Sequence, residues 1–286
     1  MKKRTHYRAV FISDLHLGFG GAQAKSVLSF LKSIECETLY LVGDIIDFWE
    51  MKKGIQWDLA SSEVLRRLLK MVKSGTKIVY LPGNHDDQIR NFIPFGLGSN
   101  IEFVDTTKHV TSSGLQFSIL HGDQYDVVVG NMKWLAVLGH HLYDLLLKSN
   151  GILHFIRTRL GYHEYWSLAG YLKSKAKKAV SFVQDFEKAV LMHAGNEGSC
   201  GVICGHIHTP KIYIAENGLI YANCGDWVES LTAVVENDQG NLELIRWHDL
   251  KQDGIEEMAL VDCPILEVPW SFDPALRESL PSEHNK

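Results

Sequence analysis

Residues 39–47 read LYLVGDIID and residues 77–87 read KIVYLPGNHDD. In both, a run of Leu, Ile, Val and Tyr too short for a helix is closed by Gly or Pro and opens into Asp, Asn and His. That is the pattern of a buried β-strand ending in a polar loop. It recurs at Ala9–Ser13 before DLHLG, Phe117–Leu120 before HGDQYD, Val202–Cys204 before GHIHTP and Leu219–Asn223 before CGDWVE. Between the first three runs lie helical patterns at about 24–34 and 57–74, the second carrying Leu59, Val64, Leu65, Leu68, Leu69 and Val72, with Gly75 after its last turn. Strand alternating with helix implies βαβ crossovers and parallel pairing. After residue 200 the turns Glu216-Asn217-Gly218 and Asp238-Gln239-Gly240 predict antiparallel pairing.

The chain has 286 residues, 45% hydrophobic and 22% charged, which excludes disorder, collagen and coiled coil and allows a sizeable core. Cys36, Cys200, Cys204, Cys224 and Cys263 are odd in number and sit mostly in apolar runs, so they read as buried thiols of a reducing compartment. Lys2, Lys3 and Arg4 are followed only by Ala9-Val10-Phe11-Ile12, too short for a secretory signal, and no run has the length of a membrane span. The expectation is a cytoplasmic protein. A net charge of −5 argues against a nucleic-acid partner.

Residues 127–195 differ from both flanks. Trp134–Leu147 is apolar on nearly all faces, and residues 148–178 hold seven basic residues against Glu164 alone, a local charge of +6. The reading is a helical cap, 127–195, inserted into a core made of 1–126 and 196–249, with a C-terminal extension, 250–286, whose end frays. A basic island beside an apolar helix suits an anionic membrane surface.

All six polar clusters fall at the carboxyl ends of strands, where open α/β folds bind their ligands. They supply Asp14, His16, Asp44, Asp47, Asn84, His85, Asp86, His121, Asp123, His206 and His208. In extended chain, residues i and i+2 point the same way, so Asp14/His16 and His206/His208 should each present a pair toward one point. Carboxylate, imidazole and amide oxygen together suit a borderline divalent ion, Mn, Fe or Zn. So many ligands exceed one tetrahedral site but fit two ions sharing a carboxylate, an arrangement that acts on phosphate esters. His6, His109, His140, His141, His154, His163, His193 and His248 have no companion pattern and read as structural.

Asp14-x-His16, Gly43-Asp44-x-x-Asp47, Gly83-Asn84-His85-Asp86, His121 and Gly205-His206-x-His208 together resemble the calcineurin-like metallophosphoesterase superfamily, over about residues 8–230. The resemblance implies an α/β fold, the metallophosphoesterase αββα sandwich of two mixed sheets. It implies Asp14, His16, Asp44 and His208 on one metal, and Asp44 (bridging), Asn84, His121 and His206 on the other. His85, oriented by Asp86, would stabilise the phosphate or protonate the leaving group.

Within that superfamily the inserted cap, GDIIDFW and CGDWVES resemble the UDP-2,3-diacylglucosamine diphosphatases of lipid A synthesis, in their GNHD-type branch. This implies a lipid-linked nucleotide-sugar substrate, split to UMP and an acylated glucosamine 1-phosphate at the cytoplasmic face of the inner membrane. Two divalent ions, Mn foremost, would serve it. Asn84, His85, Asp126, Lys175, Lys178 and His206 would touch the substrate, Lys175 and Lys178 sharing a helix face at i,i+3. Two other readings remain: a phosphoesterase for another nucleotide, phosphodiester or phosphoprotein, and a binding module on the same fold.

Overall fold

The computed structural model describes residues 4–126 and 168–247, and within 168–179 the backbone alone. Trp134–Leu147, most of the expected cap and the extension 250–286 lie outside the described residues.

Sheet one has seven strands: β1 (Thr5–Ile12), β2 (Ile34–Val42), β3 (Lys77–Leu81), β4 (Phe95–Gly96), β5 (Ile101–Phe103), β11 (Thr232–Glu236) and β12 (Leu242–Arg246). Their spatial order is β12-β11-β1-β2-β3-β5-β4. Its centre is parallel, with Val10 opposite Leu39 and Leu39 opposite Ile78, while β11, β12 and β4 run antiparallel to their neighbours. Sheet two orders β6 (Thr107–Val110), β7 (Gln116–Ile119), β8 (Gly201–Cys204), β10 (Ile220–Asn223) and β9 (Lys211–Ile214).

Period-two alternation sorts the layers. Val10, Ile12, Leu39, Leu41 and Ile78 face α1 (Ala24–Ser33) and α3 (Leu59–Lys73). The intervening Ala9, Phe11, Tyr40, Val42 and Val79 face sheet two, meeting Phe117, Ile119, Ile203 and Ala222. On the far side of sheet two, Val202, Cys204 and Tyr221 pack on Phe186, Val190, Leu191 and Ala194 of α4 (Leu168–Asn196). The result is an αββα sandwich of two mixed sheets. The short α2 (Phe48–Met51) follows β2 and stands at the rim of the strand ends.

Both predicted helices form. Asp58 caps α3 by accepting from Ser61 N at 2.7 Å, and Gly75, at φ +104°, ends it. Of its predicted apolar stripe, Val64 and Leu68 are buried and Leu65 and Val72 pack against the core, while Leu59 and Leu69 are 75% and 60% exposed. Ala60, Arg67 and Met71 complete the inward face. Arg67 donates to the carbonyls of Leu31 and Ile34 at 2.9 and 3.3 Å and so satisfies the end of α1.

The two predicted turns do join antiparallel pairs, β9–β10 and β11–β12. The expectation of antiparallel pairing throughout this region fails at β8–β10, which is parallel. The chain passes from β8 to the edge as β9 and turns back between them, so β10 reaches β8 running in its direction. Cys36, Cys204 and Cys224 are buried and free, and burial pushes the Cys36 and Cys204 thiols up to about 12. Among the described residues, no helix is long and apolar enough to cross a membrane.

Candidate metal centre

Each sequence cluster sits just beyond a strand, and the two sheets bring their clusters face to face. Sheet one contributes Asp14 and His16 after β1, Asp44 after β2, and Asn84 and His85 after β3. Sheet two contributes His121 after β7, and His206 and His208 after β8. Three groups of metal-ligand geometry result: Asp14–His16–His208 and Asp44–His121–His206 at the centre, and His16–Asp47–His85 beside them. His208 Nε2 lies 3.0 Å from Asp14 Oδ1, and His121 Nε2 lies 3.4 Å from Asp44 Oδ2. His16 Nε2 stands between the groups, 3.8 Å from Asp14 Oδ1 and 4.0 Å from Asp44 Oδ2.

The residues therefore converge as expected, but not by the expected route. Asp14, His16, Asp44, His206 and His208 all have positive φ, between 47° and 71°. These are left-handed loop positions, not extended chain, so i,i+2 alternation does not supply the reason for the convergence. Asp14 and His16 do share a group as expected, whereas His206 and His208 point into different ones. A non-glycine residue in this region is uncommon, and such positions gather at functional sites because surrounding contacts must hold them. Gly43, at φ +83°, leaves no room for a side chain, since a Cβ there would strike the His121 ring.

The surroundings fix which atoms face inward. His121 Nδ1 is 2.9 Å from the Val42 carbonyl, so it donates there and Nε2 faces the site. His16 Nδ1 is held at 2.9 Å by Asp47 Oδ2. His206 Nε2 is held at 2.6 Å by Asp126 Oδ1, leaving Nδ1 as the ring's other ligand atom. His16 Nε2, Asn84 Oδ1 and His121 Nε2 are buried and make no hydrogen bond. Buried polar atoms are seldom left so, and here they surround the Asp14 and Asp44 carboxylates. Two nitrogens and an amide oxygen in this state, beside two carboxylates, fit divalent cations as their missing partner.

Burial alone would raise the Asp14 and Asp44 carboxyls; His208 beside the first and His121 beside the second hold both below the usual range. The same carboxylates push His121 up to about 10 against burial, and Asp14 with Asp47 does so for His16.

Two roles differ from expectation. Asp86 does not orient His85. Its carboxylate accepts from Gly83 N at 2.6 Å, Ile45 N at 2.9 Å and Tyr80 Oη at 2.5 Å, binding the Asp44 loop to the Asn84 loop. The neighbour of His85 is Asp47, whose Oδ1 lies 2.9 Å from His85 Nδ1, and Trp49 covers the ring at a centroid distance of 4.6 Å. Asp126, expected to touch substrate, is buried against His206 instead. Asp47 is the residue the sequence left without a role, although G-D-x-x-D carried it. Lys175 and Lys178 fall within α4, in its stretch described by backbone alone.

A cleft of about 230 Å³ opens over the centre. His16, Asp44, Asp47, Asn84, His85, His206 and His208 form its polar floor, and Phe19, Phe182, Val183, Ile207 and Val228 its apolar wall. Glu50 and Glu229 complete it, so no Lys or Arg lines it among the described residues. An anionic substrate would be repelled here unless cations sat on the floor.

Comparison with known proteins agrees with this geometry. The family described as calcineurin-like phosphoesterase matches residues 7–285. A UDP-2,3-diacylglucosamine hydrolase of Shewanella sp. (strain W3-18-1) is 24% identical over 248 residues, covering 82% of this chain and 94% of that protein. The DNA polymerase II small subunit of Methanothermobacter thermautotrophicus is 26% identical over 178 residues, 52% of this chain and 36% of that protein. Among solved structures, a Vps29 single mutant from Entamoeba histolytica aligns over 89% of this chain and 98% of its own, at 12% identity and a TM-score of 0.43. With the family match spanning nearly the whole sequence and the ligand-bearing loops gathered where two mixed sheets meet, the chain belongs to the calcineurin-like phosphoesterase family and is a metal-dependent phosphoesterase.

Proposed function

We propose that the protein hydrolyses the diphosphate of UDP-2,3-diacylglucosamine, giving UMP and 2,3-diacylglucosamine 1-phosphate. The observation that carries this reading is the cleft, where a cation-seeking floor adjoins an apolar wall of Phe19, Phe182, Val183, Ile207 and Val228. A substrate with phosphorus and acyl chains in one molecule matches both surfaces. The relative named as a UDP-2,3-diacylglucosamine hydrolase supports the same substrate.

Asp14, His16, Asp44 and His208 would hold one divalent ion, and Asp44, Asn84, His121 and His206 the other, Mn foremost among Mn, Fe and Zn. Ions held there supply Lewis acidity to the phosphoryl oxygens and activate water. Asp44 Oδ1 accepts from His85 N at 2.7 Å, which ties the shared carboxylate to the loop bearing Asn84 and His85. His85, held beside Asp47, is placed to stabilise charge on the phosphoryl group or protonate the leaving oxygen. Asn84 and His206 would also meet the phosphate, and Lys175 and Lys178 on α4 would pair with its remaining charge. Residues 127–195 serve in this reading as a cap over the acyl chains and as the contact with an anionic membrane face.

The test is hydrolysis of a panel with Mn²⁺ added: the diacylated sugar nucleotide, the same nucleotide without acyl chains, and an aryl phosphodiester. The diacylated compound should be turned over with the highest kcat/KM, since binding energy from remote groups is expressed in the transition state. Lys175→Ala should depress that reaction and leave the aryl phosphodiester unaffected. Equal turnover of the unacylated nucleotide would instead favour a general nucleotide phosphoesterase.

A further inference from the structure

Both central groups draw on both sheets, so their geometry depends on what fixes one sheet's strand ends against the other's. The Asp14–His16–His208 group has a direct tie: His206 N donates to Asp14 Oδ2 at 3.0 Å. The Asp44–His121–His206 group has one too, His121 Nδ1 to the Val42 carbonyl at 2.9 Å, but the Asn84 loop and the His121 loop are not tied directly to each other. Among the described residues, no backbone hydrogen bond joins residues 82–86 to residues 120–126.

Arg90 closes that gap. It lies in a short 3-10 turn, Asp87–Phe92, just beyond the Asn84–His85 loop. Its Nη1 and Nη2 donate to the two carboxylate oxygens of Asp123 at 2.8 and 2.9 Å, a bidentate fork. Nη2 also donates to the Pro82 carbonyl at 2.8 Å, and Nε to Asp105 at 2.8 Å. Pro82 begins the loop that presents Asn84, and Asp123 follows His121 by two residues. The Asp123 side chain is only 9% exposed, whereas Asp105 is 58% exposed.

We propose that the Arg90–Asp123 pair is a positioning clamp that sets the separation of Asn84 from His121, and so the affinity of the Asp44–His121–His206 group for its cation. Arg90 touches neither the cleft nor a ligand atom; it acts through the two loops it joins. Residues that orient metal ligands from behind typically change metal affinity by about 10–100-fold. Lysine keeps the charge but cannot make the fork, so it restores the clamp only in part. The proposal rests on the reading that the two groups hold divalent ions.

The test is calorimetric titration of the metal-stripped full chain with Mn²⁺, for the wild type, Arg90→Ala, Arg90→Lys, Asp123→Asn and Asp105→Asn. His121→Ala identifies which binding event belongs to the second group. In Arg90→Ala and Asp123→Asn that event should weaken by about 10–100-fold, with the other within about threefold. Arg90→Lys should fall between. Asp105→Asn should match the wild type within about twofold, because an exposed pair contributes little. Combining Arg90→Ala with Asp123→Asn should be no worse than either alone, as for two halves of one interaction. Excess Mn²⁺ should restore kcat in Arg90→Ala. Unchanged affinities in a folded Arg90→Ala or Arg90→Lys, or equal weakening of both events, would overturn the clamp. A wild type binding no Mn²⁺, Zn²⁺ or Fe²⁺ would overturn the metal reading beneath it.

Discussion

Asp47 and His85 meet at 2.9 Å, Oδ1 to Nδ1, while the second oxygen of the same carboxylate holds His16 Nδ1 at 2.9 Å. One side chain therefore sets two rings on the cleft floor, His85 and His16. Asp47 is itself fixed, since its Oδ1 also accepts from Glu50 N at the start of α2. Asp47→Asn keeps the shape and removes the charge. It should lower kcat by about 10²-fold and weaken Mn²⁺ binding through His16 by about tenfold. Steady-state kinetics with parallel calorimetry checks both, and a loss in only one would show that Asp47 serves only one of the two rings.

His85 meets the ligand groups through Asp47 and through His16, whose ring centroid lies 4.6 Å from its own, and its other side is covered by Trp49. His85→Ala should lower kcat by about 10²–10⁴-fold with both bound ions retained. Metal analysis of the purified variant decides the matter. Loss of an ion would make His85 a ligand.

Asp44 is the carboxylate that both groups would share, 4.0 Å from His16 Nε2 and 3.4 Å from His121 Nε2. Asp44→Ala should remove hydrolysis of even an activated aryl phosphate ester. Retention of more than about a tenth of the wild-type rate, a barrier change below ~1.4 kcal/mol, would contradict a shared role.

The metal-free protein should respond to pH in a definite direction. His16 and His121 stand at about 10 in the fold because nearby carboxylates overcome burial, whereas unfolded histidine titrates near ~6.5. Their raised values stabilise the metal-free fold fully below pH ~6.5, and this contribution is lost as pH rises through about 10. Divalent ions need those nitrogens unprotonated, so Mn²⁺ affinity should rise with pH across the same window and binding should release protons. Denaturant titrations of the stripped protein at several pH values, with calorimetry in buffers of different ionisation enthalpy, test both trends. Metal affinity independent of pH would exclude protonated histidines at the site.

Phe186 joins α4 to the centre. It is fully buried, packs against Gly122 and lies 5.9 Å from the His206 ring. Phe186→Ala should cost about 3–5 kcal/mol of stability, and Phe186→Leu far less. Urea unfolding of the metal-free protein measures this; an Ala variant as stable as the wild type would mean that α4 does not depend on this contact.

The strands before Asp14, Asp44, Asn84, His121 and His206 were legible because alternation and Gly or Pro punctuation are local, and so were the polar residues that gather at their ends, since each short block carries its own. The two helices were legible for the same reason, α3 as far as its Gly75 stop. What only the tertiary structure decided are relations between distant residues. Parallel β8–β10 pairing depends on where β9 lies, and Arg67 joins α3 to the carbonyls that end α1. Asp86 binding backbone while Asp47 takes His85, Asp126 behind His206, and Arg90 on Asp123 each join side chains from different strand ends. The left-handed backbone at Asp14, His16, Asp44, His206 and His208 belongs with these: Asp and His enter it more readily than most residues, but it persists because contacts from both sheets hold it there.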